Sequence, residues 1–438
     1  MKTVHVGLLG FGTVGAGVAR ILTESGDLLT ARTGVDLNLK YVADIDLETD
    51  RGVPLADGVL IPDAKRVVDD PEVDIVLEMI GGEGIAKELM LAAITNGKAV
   101  VTANKALLAK HGGEVFQAAD TRGVDLAFEA SVGGCMPVIK TLRESLVGNR
   151  INAMSGILNG TCNYILSRIT EEGLSFKAAL AQAQEAGFAE ADPTLDVEGF
   201  DTAHKLAIVT ALAYGTKVNF DDIYIEGISS VTPLDIDFAR QFGYRIKLLA
   251  ISKNHGDRVE ARVHPTMLPE DNLLSTISGS LNAFSISGDA VGDVMLYGHG
   301  AGMMPTASAV VGDIVDIARN LAACQPRRVP LLSYQTERIG HLPIVPMEDI
   351  STHYYFRFTA KDQPGVLSKI AGILGEHKIS IQSVHQKGRK SSGAVPVVMM
   401  SHEAREVDVR QAMHAIEALD VVEGPPMLIR IEETNNAD

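Results

Sequence analysis

Over its first third the chain alternates short apolar runs with stretches of helical period. Residues 4–10 form one run, 14–22 repeat apolar positions at helical spacing, and 37–43 form a second run. The sequence DIVLEMI at 74–80 predicts a third strand, followed by a helix through 89–94. Residues 98–102 and 125–129 predict two more strands, with 105–119 helical between them. Strands alternating with helices in this way predict a parallel, doubly wound sheet. After Glu129 the pattern changes. Helices dominate from 161 to about 214, and glycine-bearing turns separate strand-like pieces from 246 to 286. Residues 307–320 are helical again and are expected to return and pack on the first domain. Pro326, Pro330, Pro343 and Pro346 mark a linker. From about Tyr354 a strand-helix-strand-strand-helix-strand rhythm begins, and 432–438 read as a disordered tail.

Composition narrows the partners. A chain of 438 residues suggests about three domains. Its formal net charge of −17 disfavours phosphate backbones and anionic lipid, so neither nucleic acid nor a membrane surface is an expected partner. An anionic ligand must then be held by local features, a helix N-terminus or single lysines. Cys135, Cys162 and Cys324 are scattered, with no metal spacing, which fits a reduced cytoplasmic compartment. The start reads as a strand running into a glycine motif rather than as a signal peptide. No apolar run is long enough to span a bilayer.

That motif, Gly10-Phe11-Gly12-Thr13-Val14-Gly15, follows a strand and opens a helix. This is the context of a dinucleotide site: Gly10 permits the turn, Gly12 admits a pyrophosphate, Gly15 lets helix meet strand, and the helix start supplies N–H donors. The second strand ends at Asp44, farther from Gly15 than usual, so 27–36 is expected to be a longer loop. An acid there favours a ribose 2′-hydroxyl and hence NAD, with NADP still open. Thr102-Ala-Asn104-Lys105 ends another strand, where open α/β sheets bind ligands. Lys105 either faces that ligand or is an exposed first-turn lysine. Glu129-Ala-Ser-Val132-Gly133-Gly134-Cys135-Met136-Pro137 is either a plain turn or carbonyl-rich backbone around a hard cation. Cys135 lacks a histidine nearby in sequence and reads as a packed thiol. The stretch from Glu190 to Lys205 holds Asp192, Asp196, Glu198 and Asp201 as well. Asp201 and Lys205 share one helix face, as a solvated ion pair or as a site.

Taken in order, these motifs resemble the homoserine dehydrogenases. Further matches are Ile157-Leu-Asn159-Gly160-Thr161-Cys-Asn163-Tyr164, Ala186-Gly-Phe-Ala-Glu190-Ala-Asp192-Pro193, Gly298-His-Gly300-Ala-Gly302 and Pro305-Thr306-Ala307-Ser308. Thr359-Ala-Lys-Asp362-Gln-Pro364-Gly365-Val-Leu367 resembles an ACT module, a small βαββαβ unit that often binds an amino acid. The resemblance implies an α/β fold with three parts. These are a Rossmann-type NAD(P)-binding domain (1–130, completed by a helix within 305–322), an α+β catalytic and dimerisation domain (131–322), and an ACT regulatory domain (350–438) beyond the 323–349 linker. It implies interconversion of L-homoserine and L-aspartate 4-semialdehyde with NAD(P)H, in threonine, methionine and isoleucine biosynthesis.

By the same resemblance Lys205 is the proton donor, and a carboxylate such as Asp201 beside it suits a general acid by stabilising the ammonium. Lys105 stabilises developing negative charge, and Glu190, Asp201 and Asp196 bind substrate. The cofactor meets residues 10–15, Thr102, Lys105 and Gly302. Glu129, with carbonyls of Val132, Gly134 and Met136, holds a monovalent cation, Na+. Threonine is the implied ACT effector, and the assembly a homodimer or homotetramer. His299 departs from the family, which often has arginine there. An aspartate-semialdehyde dehydrogenase would need a cysteine nucleophile in a recognisable context. A non-catalytic sensor would have no use for Glu190, Asp201 and Lys205.

Overall fold

The computed structural model describes residues 2–386 and 393–433. Of the expected tail, 434–438 lie outside the described residues. The first domain is a six-stranded sheet in the order Leu60–Ile61, Val35–Ala43, Lys2–Leu9, Ile75–Glu78, Ala99–Thr102, Leu126–Ala127. Every pairing is parallel. Val4, Val6, Leu8 and Leu9 are completely buried, as a central strand covered on both faces requires. Strand order reverses between Lys2–Leu9 and Ile75–Glu78, which opens a crevice at their carboxyl ends.

Residues 27–36 are not the expected loop. Gly26–Thr33 is a helix that buries Leu29 and stops at Gly34, whose φ of 70° sets a left-handed cap. The Met303–Ala322 helix lies against the Thr13–Glu24 helix, and its Ala307, Val310 and Ile314 share a core with Val18 and Ala19. The approach is so close that a Cβ on Gly17 would meet Met303 backbone oxygen at 2.9 Å.

An eleven-stranded sheet carries the rest of the chain. Its path runs Gly292–His299, Leu281–Gly288, Ile151–Ile157, Tyr244–Asn254, Val259–Pro269, Met427–Ile431, Ser351–Lys361, Ala394–Ser401, Ile381–Gln386. The Phe200–Tyr214 helix packs between this sheet and the Lys105–Arg122 helix. It is buried nearly all round, its charged Asp201 and Lys205 included, because it is enclosed on several sides. The βαββαβ unit is joined edge-on rather than hung on a tether: Thr266 and Met267 pair in parallel with Arg430 and Ile431. Buried charges close that seam. Arg430 binds Glu406 and, at 2.7 Å, Glu226, while Asp235 accepts from both Arg357 and Tyr355. The proline-bearing linker is strapped to the body of the larger sheet, with Leu342 N–H donating to Thr216 Oγ1 at 2.7 Å and Val345 N–H to Val259 O at 2.8 Å. Among the described residues no helix is long and apolar enough to cross a membrane.

Candidate active site

The glycine turn has the geometry its residues foretell. Gly10 has φ +94°, and a Cβ there would strike the Met79 carbonyl at 2.7 Å. A Cβ on Gly15 would come within 2.0 Å of Gly10 O, so helix and turn touch only because none exists. Gly12 has nothing within 4 Å of its would-be Cβ, and as N-cap of the Thr13–Glu24 helix it offers no capping side chain. The first helical N–H groups are therefore available to an anion, so the turn fits a dinucleotide pyrophosphate. Thr13 is exposed and Val14 half-buried at the cavity wall. Phe11 turns its side chain away from the cavity. Its ring sits in the core at 4% exposure, and its N–H donates to Asp44 Oδ2 at 2.5 Å. Asp44 Oδ1 also accepts Asp46 N–H at 2.9 Å, so Asp44 ties the glycine turn to the second strand.

Thr102 likewise lies beneath the cofactor wall rather than on it. It is fully buried, donates to Glu78 Oε2 at 2.6 Å and accepts Asn104 N–H at 3.0 Å. Glu78 Oε1 accepts the N–H groups of Ile80 at 3.0 Å and Gly81 at 2.9 Å, and Asn104 Nδ2 donates to Gly82 O at 2.7 Å. Together they brace the 80–82 backbone that lines a cavity of about 350 Å³. Glu78 and Asn104 were not among the expected site residues. The available signal was a carboxylate at the C-terminal end of an otherwise apolar parallel strand.

Within the carboxylate-lysine stretch, Asp201 and Lys205 form a buried pair, not a surface one. Asp201 and Lys205 side chains are each 10% exposed, with Lys205 Nζ 2.6 Å from Asp201 Oδ2. Nζ also donates to Leu158 O at 2.6 Å. Lys105 approaches the other carboxylate oxygen at 3.3 Å from a side chain 42% exposed. Asn159, absent from the expected set, spends both amide hydrogens here, on Asp196 Oδ1 at 2.7 Å and Asp201 Oδ2 at 2.9 Å. Burial alone would raise the Asp201 carboxyl, but the charges of Lys205 and Lys105 and the bonds from Lys205 and Asn159 hold it well below the usual carboxylate range. Burial pushes Asp196 upward against its Asn159 bond. Glu190 is exposed at the rim. Asp192 only caps Thr194, accepting its N–H and hydroxyl, and Glu198 accepts from Ser229.

Lys205, Asp201, Asp196, Glu190 and Lys105 line one cavity of about 570 Å³ with Thr13, Val14, His299 and Gly302. Gly302, at φ +119°, starts the Met303–Ala322 helix on the side facing the glycine turn. A fixed ammonium, oriented by a carboxylate and a carbonyl, thus shares a chamber with a dinucleotide turn. That arrangement can move a proton on an oxygen at which hydride transfer creates or removes negative charge.

The Glu129 turn borders this chamber through Gly133 and Gly134. Glu129 is buried, and its two oxygens accept the N–H groups of Ile139 and Lys140, each at 2.8 Å. Burial and the nearby Asp313 push its carboxyl up to about 7. The expected strand at 125–129 stops at Ala127, and Glu129–Ser131 is a single tight turn. Cys135 is exposed, contrary to the packed thiol expected, on a loop whose backbone bonds the exposed His299 through Cys135 N–H; Cys162 is the buried thiol. Among the described residues no three His, Cys, Asp or Glu side chains gather to hold a metal.

Family models agree with this anatomy. Residues 10–129 match a homoserine dehydrogenase NAD-binding domain, 137–315 a homoserine dehydrogenase domain, and 354–421 an ACT domain. The chain is 45% identical to homoserine dehydrogenase of Neisseria gonorrhoeae, over 100% of both chains. It is also 45% identical to that of Pseudomonas aeruginosa, over 99% of this chain and 100% of the relative. A homoserine dehydrogenase structure from Thiobacillus denitrificans matches at TM-score 0.93 and 46% identity, over 99% of each chain. A hyperthermophilic archaeal homoserine dehydrogenase in complex with NADPH matches at TM-score 0.61 and 26% identity, over 72% of this chain and 98% of that one. The chain belongs to the homoserine dehydrogenase family, as an oxidoreductase with a nicotinamide-binding parallel sheet and a C-terminal ACT domain.

Proposed function

We propose that this enzyme interconverts L-homoserine and L-aspartate 4-semialdehyde in the biosynthesis of threonine, methionine and isoleucine, with Lys205 moving the proton. The observation carrying this is the Asp201–Lys205 pair buried in the same cavity as the glycine turn. The bound nicotinamide supplies or accepts the hydride. Lys205 donates a proton to the aldehyde-derived oxygen in the reducing direction and removes it in the other. Asp201 and Leu158 O fix the ammonium, while Lys105 faces the same oxygen and stabilises its developing charge. Glu190, with Asp201 and Asp196, binds the substrate ammonium. The 10–15 turn and Gly302 hold the dinucleotide, with Lys105 beside the ring and Thr102 supporting it from below.

The acidic end of the second strand favours NAD, since Arg51 is drawn onto Asp46 at 2.8 Å. Steady-state homoserine oxidation with NAD and with NADP tests both claims. Phosphate-dependent oxidation of the aldehyde without homoserine oxidation would instead identify an aspartate-semialdehyde dehydrogenase.

Glu129, with the carbonyls of Val132, Gly134 and Met136, fits Na+: the donors are all oxygen, and a cation relieves the burial cost on Glu129. It would order the turn beside the cofactor. The ACT unit is proposed to bind threonine at the turn from Asp362 to Gly365 and to inhibit. The buried seam supports this. Arg430 holds Glu226, and two residues on, Ile228 N–H bonds Val197 O, next to Asp196. Threonine inhibition that persists in Asp362→Ala would move the effector site elsewhere. A cytoplasmic homodimer or homotetramer is the proposed assembly, in keeping with three free cysteines.

A further inference from the structure

We propose that Asn282 reads the carboxamide of the nicotinamide ring, an inference that rests on the dehydrogenase reading above. Asn282 sits on the Leu281–Gly288 strand, 1% exposed, in the wall of the cavity that holds Lys205. Neither its Nδ2 nor its Oδ1 has a hydrogen-bond partner among the described residues. A buried amide in that state has given up its water and gained nothing, and folded chains rarely keep one without a partner that arrives later.

The surroundings are bare backbone. A Cβ at Gly300 would fall 2.0 Å from Asn282 Nδ2, and one at Gly160 would fall 3.5 Å from Oδ1. Gly160 lies two residues beyond Leu158, whose carbonyl holds Lys205 at 2.6 Å. Gly300 leads into Gly302 and the helix start on the dinucleotide side. Asn282 thus shares one cavity wall with the proton donor and the glycine turn.

Ligand chemistry follows from what is unpaired. One donor group and one acceptor need an acceptor and a donor opposite them. A substrate carboxylate offers only acceptors and its ammonium only donors, whereas a carboxamide offers both in one plane. On the nicotinamide ring the carboxamide-bearing carbon neighbours the hydride carbon. With the hydride carbon facing the substrate carbon whose oxygen lies at Lys205, the neighbouring carboxamide would face the wall that Asn282 shares with Lys205. Gly300 lies over both ends of the amide, its would-be Cβ 2.0 Å from Nδ2 and 2.5 Å from Oδ1, so the pair needs the 299–302 backbone to give room.

The test is calorimetric binding, without substrate, of the oxidised cofactor and of its 3-acetylpyridine analogue, which keeps the acceptor and replaces the amide donor by methyl. The wild-type chain binds the analogue about tenfold more weakly than the cofactor, the worth of one hydrogen bond. Asn282→Ala weakens the cofactor by about tenfold to a hundredfold and erases the difference between the two. Equal wild-type affinity for both ligands, or an equal loss for both in Asn282→Ala, would overturn the assignment. The wild-type comparison stands even if the variant fails to fold. Homoserine oxidation measured alongside separates the two readings. Its absence sinks the dehydrogenase reading, whereas its presence with equal affinities sinks only this one.

Discussion

Asp201→Asn keeps the shape of the central side chain and removes its charge from between two lysines. The carboxylate lies 2.6 Å from Lys205 and 3.3 Å from Lys105. At an effective dielectric of about 20, a unit pair at the shorter distance is worth about 6 kcal/mol before desolvation is subtracted. Breaking a buried pair costs about 3–5 kcal/mol, because the remaining charge is stranded. We take the lower end, about 3 kcal/mol, since Lys105 is partly exposed and turns to water. The assay is homoserine oxidation followed by the absorbance of reduced cofactor, with denaturant unfolding in parallel. Unfolding free energy falls by about that amount, and kcat/KM falls separately by about a hundredfold as the proton donor loses its orienting carboxylate. The pH dependence has a definite sign. A carboxyl held below its unfolded value contributes fully above about pH 4 and loses that contribution as pH falls through the folded value. The stability gap between wild type and variant therefore closes in acid. Asp237→Asn, a half-exposed carboxylate paired with Arg240 away from both cavities, is the control and changes kcat/KM by less than about threefold. Asp201→Asn behaving like that control would refute the reasoning.

Three further outcomes are expected. Burial raises Glu129 to about 7 and Asp313 to about 6, so the folded chain keeps protons that the unfolded chain releases, and this pair loses stability as pH rises from about 4 toward 7. Na+ compared with a bulky organic cation should then raise Tm more at about pH 8 than at about pH 5.5, and equal gains would contradict the site. Thr102→Val deprives buried Glu78 of its hydroxyl donor and should cost about 1–3 kcal/mol by denaturant unfolding, with a raised cofactor KM; an unchanged KM would show that the 80–82 loop needs no bracing. Ending the chain after Pro346 strands Asp235 and Glu226 and bares the Val259–Pro269 edge, so it should destabilise the catalytic body by about 3 kcal/mol or more, and full stability would mean the seam contributes little.

Local pattern carried much of this. The residue types in the 10–15 turn state their own geometry, and four-residue spacing put Asp201 and Lys205 on one face. What the pattern lacked was long-range. Asn159 reaches Asp196 and Asp201 only because a strand end and a helix start converge. The parallel pairing of Arg430 with Thr266 joins strands far apart in sequence, and nothing in either strand names its neighbour. Burial reversed the reading of Cys135, which came to the surface, and set the Phe11 and Thr102 side chains into the core, which their local sequence does not state. The Gly26–Thr33 helix is only weakly amphipathic, so its cap at Gly34 was the better signal.

The central claim is that Lys205 moves the proton. The direct measurement is homoserine oxidation by Lys205→Ala, with and without added primary amine, beside calorimetric cofactor binding. Lys205→Ala should lose about 10²–10⁴-fold in kcat, recover partly with the amine, and bind cofactor nearly unchanged. Turnover within about threefold of wild type, with cofactor binding intact, would contradict it.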